Sequence, residues 1–215
     1  MKRIPIVLII VLLTCASAQA ASVDEVLTGL QSYWGTVDTF TAHFEQKRRL
    51  ALLSGDVTSR GTFAFKKPGD MVFRYDPPDD TVIGIKPGLV TYYFPSLKKA
   101  KRIHLSSGPD SSQWMSFGLG PIDDIGALKD AATVTVSEAN GVIVLTFAPK
   151  DTKGAVKEVS VSMTKDYTPL KIRIAEKNGD YTLIEFTDQR VNPPVSDALF
   201  DVKIPRGVTV EDIGK

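Results

Sequence analysis

The chain has 215 residues, with 26 Lys and Arg against 25 Asp and Glu, two His and a single Cys. That length supports one substantial hydrophobic core, and the near balance of charge argues against a nucleic-acid binder, whose affinity comes largely from neutralising phosphates. One cysteine leaves no internal disulfide framework and no cysteine-built zinc site.

Residues 1–20 read differently from the rest. Lys2 and Arg3 precede the apolar run Ile4 to Leu13, and Ala18 and Ala20 form an A-x-A pattern. Basic, apolar and small-residue elements in that order predict a secretory signal peptide cleaved after Ala20, its apolar part too short for a membrane span. A single domain over 21–215 follows. Cleavage removes Lys2 and Arg3, two of the 26 basic residues, and no acidic one, leaving 24 against 25. It also removes Cys15. The stretch LLTC carries a rival reading, a lipoprotein signal in which Cys15 is acylated and becomes the N-terminus, although Thr14 fits that pattern poorly.

The mature part opens with Ser22 as N-cap and Glu25 three residues on, a capping box, followed by Val23, Val26, Leu27, Leu30 and Trp34 at helical spacing. The period then drops to two. Phe40, Ala42 and Phe44 alternate with Thr39, Thr41, His43 and Glu45. In GTFAFKKPGDMVFRYDPP, residues 61–78, Phe63, Phe65, Met71, Phe73 and Tyr75 fall at every second position on either side of a KKPG turn. Turn-forming clusters at 76–80, 86–88 and 95–99 separate the short runs TVIGI, LVTYYF and AKRIHL, which predicts a meander of antiparallel neighbours.

Residues 106–130 break the pattern. Trp114, Met115, Phe117 and Leu119 form one apolar group and Ile122, Ile125 and Leu128 another, with Gly118, Gly120 and Pro121 between them. Two short helical pieces are expected here. Strands resume over 133–137, 142–148, 156–164, 170–177 and 181–189, with hairpin turns at Asn140-Gly141 and Asn178-Gly179. SDALF reads as one helical turn before the tail DVKIPRGVTV.

The total is ten or eleven strands against one long helix and about two short ones. Alternation is mostly one-sided: Leu170, Ile172 and Ile174 oppose Lys171 and Arg173. One face is wet, and the other needs more cover than these helices offer. Closure into a barrel answers that need; so does a bound apolar ligand.

The chain resembles the outer-membrane lipoprotein carrier proteins of the LolA family. The resemblance runs through FTAHFEQ after the first helix, the strand pair at 61–78, and the ending F-x-D-x-x-x-N-x-x-x-x-x-x-LF-x-x-x-x-P-x-GV-x-V from Phe186 through Asn192 and Phe200 to Val210. It implies a mainly β fold of the α+β kind, an incomplete antiparallel β-barrel of about 11 strands with a helical lid. It also implies a monomeric periplasmic carrier that holds lipoprotein acyl chains in an apolar chamber. The implied partners are acylated lipoproteins, an inner-membrane lipoprotein-releasing transporter and an outer-membrane acceptor, with no cofactor, metal or catalytic residue. On this reading Phe40, Phe44, Phe63, Phe65, Met71, Phe73 and Tyr75 line the chamber, and Trp114, Met115, Phe117, Leu119, Ile122, Ile125 and Leu128 belong to the lid. The family latches its lid with a basic residue before the proline of the strand-pair turn. That residue is Lys67 here, where arginine is more familiar, and a compact ammonium has no planar fork, so lid closure is expected to be weaker or differently wired. Lys67 shares parity with Phe63 and Phe65.

Blander readings accompany these. An aromatic stripe is ordinary core in most β proteins, and the 114–128 segment fits a permanently packed helix. Lys98 to Arg102 fits a solvated hairpin tip, or else a dock for an acidic partner or anionic headgroups. Asp79-Asp80 and Asp123-Asp124 sit beside Pro, where Asp is favoured by turn geometry. His43 and His104 lack zinc spacing, and no nucleophile elbow, Walker loop or dinucleotide fingerprint occurs. A carrier of another lipid or glycolipid, a non-transporting envelope module, and a hydrolase using carboxylates from distant strands remain as alternatives.

Overall fold

The computed structural model describes residues 21–52, 55–104 and 125–214. Helix α1, Val23–Thr36, starts as the sequence dictates: the Ser22 hydroxyl accepts from the Glu25 N–H at 3.2 Å, and the Glu25 carboxylate accepts from the Ser22 N–H at 2.7 Å. Its buried residues are Val26, Leu27, Leu30 and Trp34. Eight-residue spacing between Val26 and Trp34 keeps them on one stripe of the helix.

Twelve strands follow: β1 (Thr39–Arg49), β2 (Asp56–Lys66), β3 (Asp70–Tyr75), β4 (Val82–Lys86), β5 (Leu89–Phe94), β6 (Lys99–His104), β7 (Ala132–Ala139), β8 (Val142–Pro149), β9 (Val156–Thr164), β10 (Pro169–Glu176), β11 (Tyr181–Val191) and β12 (Thr209–Ile213). Helix α2, Ile125–Ala131, precedes β7, and 3₁₀ turns span Pro95–Leu97 and Asp197–Phe200. All strands lie in one sheet, ordered β12-β6-β5-β4-β3-β2-β1-β11-β10-β9-β8-β7. The expected meander is present as β2 to β6, a second runs from β7 to β11, and β1 joins them by pairing with β2 on one side and β11 on the other. The sheet stays open, with β12 and β7 at its ends.

One strand exceeds the expected count. β12 pairs parallel to β6, and all five of its residues are exposed, so no buried face marks it in the sequence. At the β7–β8 hairpin Asn140 and Gly141 take φ of 53° and 78°, the two left-handed conformations that a tight hairpin turn of this type requires.

A single apolar cluster joins α1 and α2 to strands of both meanders, so the sheet curls far enough for its two halves to share one helix. The opposite face is not uniformly wet. Ala64 and Val72 are buried there beneath Phe200, with Val195 and Leu199 alongside, because the 3₁₀ turn at Asp197–Phe200 folds back over β2 and β3.

Candidate functional site

The register of β1, β2 and β3 places Phe40 opposite Phe65, Ala42 opposite Phe63, Phe63 opposite Phe73, and Phe65 opposite Met71. These side chains converge on the concave face. Ring centroids lie 4.7 Å apart for Phe63 and Phe73, 5.6 Å for Phe44 and Phe73, and 5.0 Å for Phe44 and Tyr75. Gly61 sits under this cluster for a steric reason: a Cβ there would meet the Arg74 carbonyl oxygen at 2.0 Å and Phe44 Cζ at 2.9 Å. Phe40, Phe44, Phe63, Phe65, Met71 and Phe73 are all buried, and Tyr75 is partly buried against them.

Cover comes from α1. Trp34 packs edge-on against Phe40 and Phe65 at 5.9 and 5.2 Å between centroids. The expectation that the helices fall short of the sheet therefore needs correcting over the aromatic wall. A 14-residue helix about 21 Å long, lying in a curled sheet, reaches more surface than it would on a flat one.

At the wall's polar margin the Tyr75 hydroxyl donates to Gln46 Oε1 at 2.8 Å. Burial pushes its phenol pKa up, aided by the nearby Asp79 carboxylate and Tyr92, while the Gln46 bond and Arg48 oppose the shift.

Lys67 extends from the end of β2 to the last turn of α1. Its Nζ donates to the Gly35 carbonyl at 2.6 Å and lies 3.3 Å from Asp38 Oδ1. That last turn contains no basic residue of its own, so Lys67 supplies the cation that a helix C-terminus favours. Asn192 completes the attachment. Its Nδ2 donates to the Thr36 carbonyl at 3.0 Å, and its Oδ1 accepts from the Asp38 and Thr39 N–H groups at 2.7 and 3.2 Å.

Of the residues expected in a lid, Ile125 and Leu128 lie on α2, where Leu128 is buried and Ile125 packs against the main core. Trp114, Met115, Phe117, Leu119 and Ile122 lie outside the described residues. At its other end α1 is tied to α2 by an ion pair between Asp24 and Lys129.

Of the remaining polar candidates, Asp79 and His104 have structural partners, and Asp123 and Asp124 lie outside the described residues. Asp79 accepts from Ser59 and Thr81 hydroxyls, both at 2.9 Å, as a turn residue does. His104 Nε2 lies 3.3 Å from Asp212 across β6 and β12. Of the run Lys98 to Arg102 only Lys98 lies in the β5–β6 hairpin tip, where it caps a 3₁₀ turn in a left-handed conformation; the rest forms β6, with Glu211 and Asp212 of β12 opposite Lys101 and Arg102.

The sequence reading of the wall stopped at Tyr75, yet the same concave surface continues through Phe186, Ile184, Ile172, Val161, Leu145 and Phe147, all buried. Their period-two alternation was the available signal. Trp34 was legible only as part of a helical stripe.

An open, mainly antiparallel sheet, curled around a continuous apolar concavity and roofed by one amphipathic helix, defines an incomplete barrel with a helical cover. The family model of the outer membrane lipoprotein carrier protein LolA matches residues 35–203, and the chain belongs to that family. It is 27% identical over 206 residues to the outer-membrane lipoprotein carrier protein of Hahella chejuensis, covering 93% of this chain and 95% of the relative. To the protein of the same name from Cupriavidus necator it is 26% identical over 199 residues, covering 91% and 90%. Among solved structures, an uncharacterized conserved protein from Thermus thermophilus shares the fold with a TM-score of 0.52 at 8% identity, covering 89% of this chain and 99% of that one.

Proposed function

We propose that the protein is a periplasmic carrier that takes the acyl chains of lipoproteins against the concave face of its sheet. In this reading it receives them from an inner-membrane releasing transporter and delivers them to an outer-membrane acceptor. Family membership supports the class of cargo. The observation that carries the reading is the way the wall is covered: an unclosed sheet keeps its aromatic surface dry under a helix whose polar end contacts are exposed ones. Exposed ion pairs contribute only about 0–1 kcal/mol each, so the helix is held mainly by the same apolar contacts that an acyl chain would make in its place.

Burying one methylene is worth about 0.8 kcal/mol, so a chain of roughly fifteen methylenes gains on the order of 12 kcal/mol against water. Release into the aqueous phase is then negligible, and cargo must pass directly between docked proteins. Competition from the carrier's own side chains lowers the net affinity and brings the exchange near balance. Trp34 on α1, Ile125 and Leu128 on α2, and Trp114, Met115, Phe117, Leu119 and Ile122 are assigned this role, with Phe40, Phe44, Phe63, Phe65, Met71, Phe73 and Tyr75 as the wall beneath. Lys67 is the latch, acting on the last turn of α1.

Native mass spectrometry of protein gently purified from the periplasm tests the reading. Co-purified acylated polypeptide supports it; a different lipid reassigns the cargo; protein that carries and takes up no acyl ligand refutes it. Substituting Lys67→Ala tests the latch: amide exchange should quicken in the last turn of α1 and across 111–130 while the sheet amides keep their protection. Unchanged exchange in both segments removes Lys67 from the mechanism.

A further inference from the structure

Trp34 is fully buried, wedged between Phe40, Phe65 and Tyr33. Its indole N–H nevertheless has no acceptor among the described residues. The Tyr33 hydroxyl beside it is also buried outside hydrogen-bonding geometry, and burial raises its pKa, with Thr168 offsetting part of that. Leaving a buried donor unpaired forfeits its hydration with nothing in return. A purely structural core would avoid that cost by placing an all-carbon side chain there, so the donor calls for an explanation.

The helix's own end does not supply the acceptor. The Tyr33 carbonyl accepts from the Thr36 hydroxyl, the Trp34 carbonyl from the Val37 N–H, the Gly35 carbonyl from Lys67, and the Thr36 carbonyl from Asn192. The missing acceptor must also suit a dry, aromatic environment. A phosphate or carboxylate would bring a charge that needs a desolvated cation beside it, and Lys67, the cation at this end of α1, is already committed to Gly35 and Asp38. A neutral carbonyl oxygen has no such requirement.

We propose that the Trp34 indole N–H is a hydrogen-bond donor kept for the carbonyl oxygen of a bound acyl ligand, the ester or amide that heads its chains. The assignment rests on the carrier reading and adds a polar anchor to it. Among the described residues the donor is unpaired, and the carbonyl of a bound ligand would satisfy it. The anchor therefore favours exchange of the helix's apolar contacts for cargo, and it sets the head of the ligand at the α1 end held by Lys67 and Asn192.

The test compares two probes with equal chains, dipalmitoylglycerol, which has ester carbonyls, and dihexadecylglycerol, its ether analogue without them, presented in the same detergent. Wild-type protein should bind the ester about two- to tenfold more tightly, the range a net hydrogen bond supplies. Trp34→Phe should abolish that preference, bringing the ratio of ester to ether affinity to about one. Because the substitution also changes packing, the indole N–H resonance of Trp34 in wild-type protein gives an independent reading: it should shift with the ester and not with the ether. Equal binding of both probes with no difference in the indole signal overturns the donor assignment and leaves the carrier reading intact. Equal weakening of both probes by Trp34→Phe also overturns it, making the ring an apolar wall only. If neither probe binds wild-type protein, the carrier reading itself fails and the anchor falls with it.

Discussion

Strands β1 to β3 face the concavity with Phe40, Phe44, Phe63, Phe65, Phe73 and Tyr75, whereas β8 to β10 face it with Ile143, Leu145, Phe147, Val159, Val161, Met163 and Ile172. The first half is built of rings in edge-on and tilted contact, and such pairs add about 0.5–1.5 kcal/mol beyond the area they bury. The second is mostly branched aliphatic and less directional. Helix α1 bridges the two. Its first turn is tied to α2 on the aliphatic side through Asp24 and Lys129, and its last turns rest on the aromatic side through Trp34 and Lys67. Movement of α1 therefore has different consequences at its two ends: one exposes smooth hydrocarbon, the other exposes rings and donors.

The largest expected effect is in the ring cluster. Phe63 touches Phe40, Phe73 and Phe186, so Phe63→Ala should cost about 3–5 kcal/mol and Leu145→Ala about 2–5 kcal/mol in denaturant titration. If the aliphatic truncation costs clearly more, the ring cluster is not the more tightly specified half. A second pair of substitutions separates the halves by steric tolerance. Gly61→Ala drives a Cβ against the backbone oxygen of Arg74, which cannot swing away, and should cost about 1–3 kcal/mol or more. Gly29→Ala meets only the far end of the Tyr167 side chain, and it gains roughly 1 kcal/mol of helix propensity, so its net effect should be close to zero. Comparable melting losses for the two would erase the distinction.

Much of this was legible in the residues. The capping box, the stripe from Val26 to Trp34, the KKPG hairpin and the alternation in β1 to β3 are local patterns, and each led to the element observed. Trp34's unpaired donor was not legible, because a helical stripe reports which side is buried and not which polar atoms find partners. Nor was the role of Lys67 at Gly35: parity gave its face, but its partner is 32 residues away. The cover of Ala64 and Val72 by Phe200 depends on a return of the chain that no alternation encodes.

The seam between the halves gives smaller effects. Asn192→Ala removes the acceptor for two N–H groups and the donor to Thr36, and should lower stability by about 1–2 kcal/mol, with faster amide exchange at Asp38 and Thr39. Ser22→Ala should cost about 1 kcal/mol through loss of the cap. The smallest effect is one of pH. Hydrogen bonds from the Ser22 backbone and side chain hold the Glu25 pKa below its ordinary 4.5. A lowered folded pKa gives stability that is present above the unfolded value and lost as pH falls through the folded one. Acid titration of helicity should therefore show α1 loosening below pH 4.5, and Glu25→Gln should remove that pH dependence.

The sequence by itself determined α1, most of the strands, the buried side of each, and the tight turns between neighbours, because these follow from periods of about 3.6 and 2 and from the few residues that tolerate turn geometry. Only the tertiary structure decided that β1 joins two meanders, that β12 adds a parallel edge, and that α1 covers the concavity with the Trp34 donor unpaired among the described residues. Those outcomes depend on contacts between segments far apart in the chain, where burial and partner are set jointly by several elements and by no local pattern.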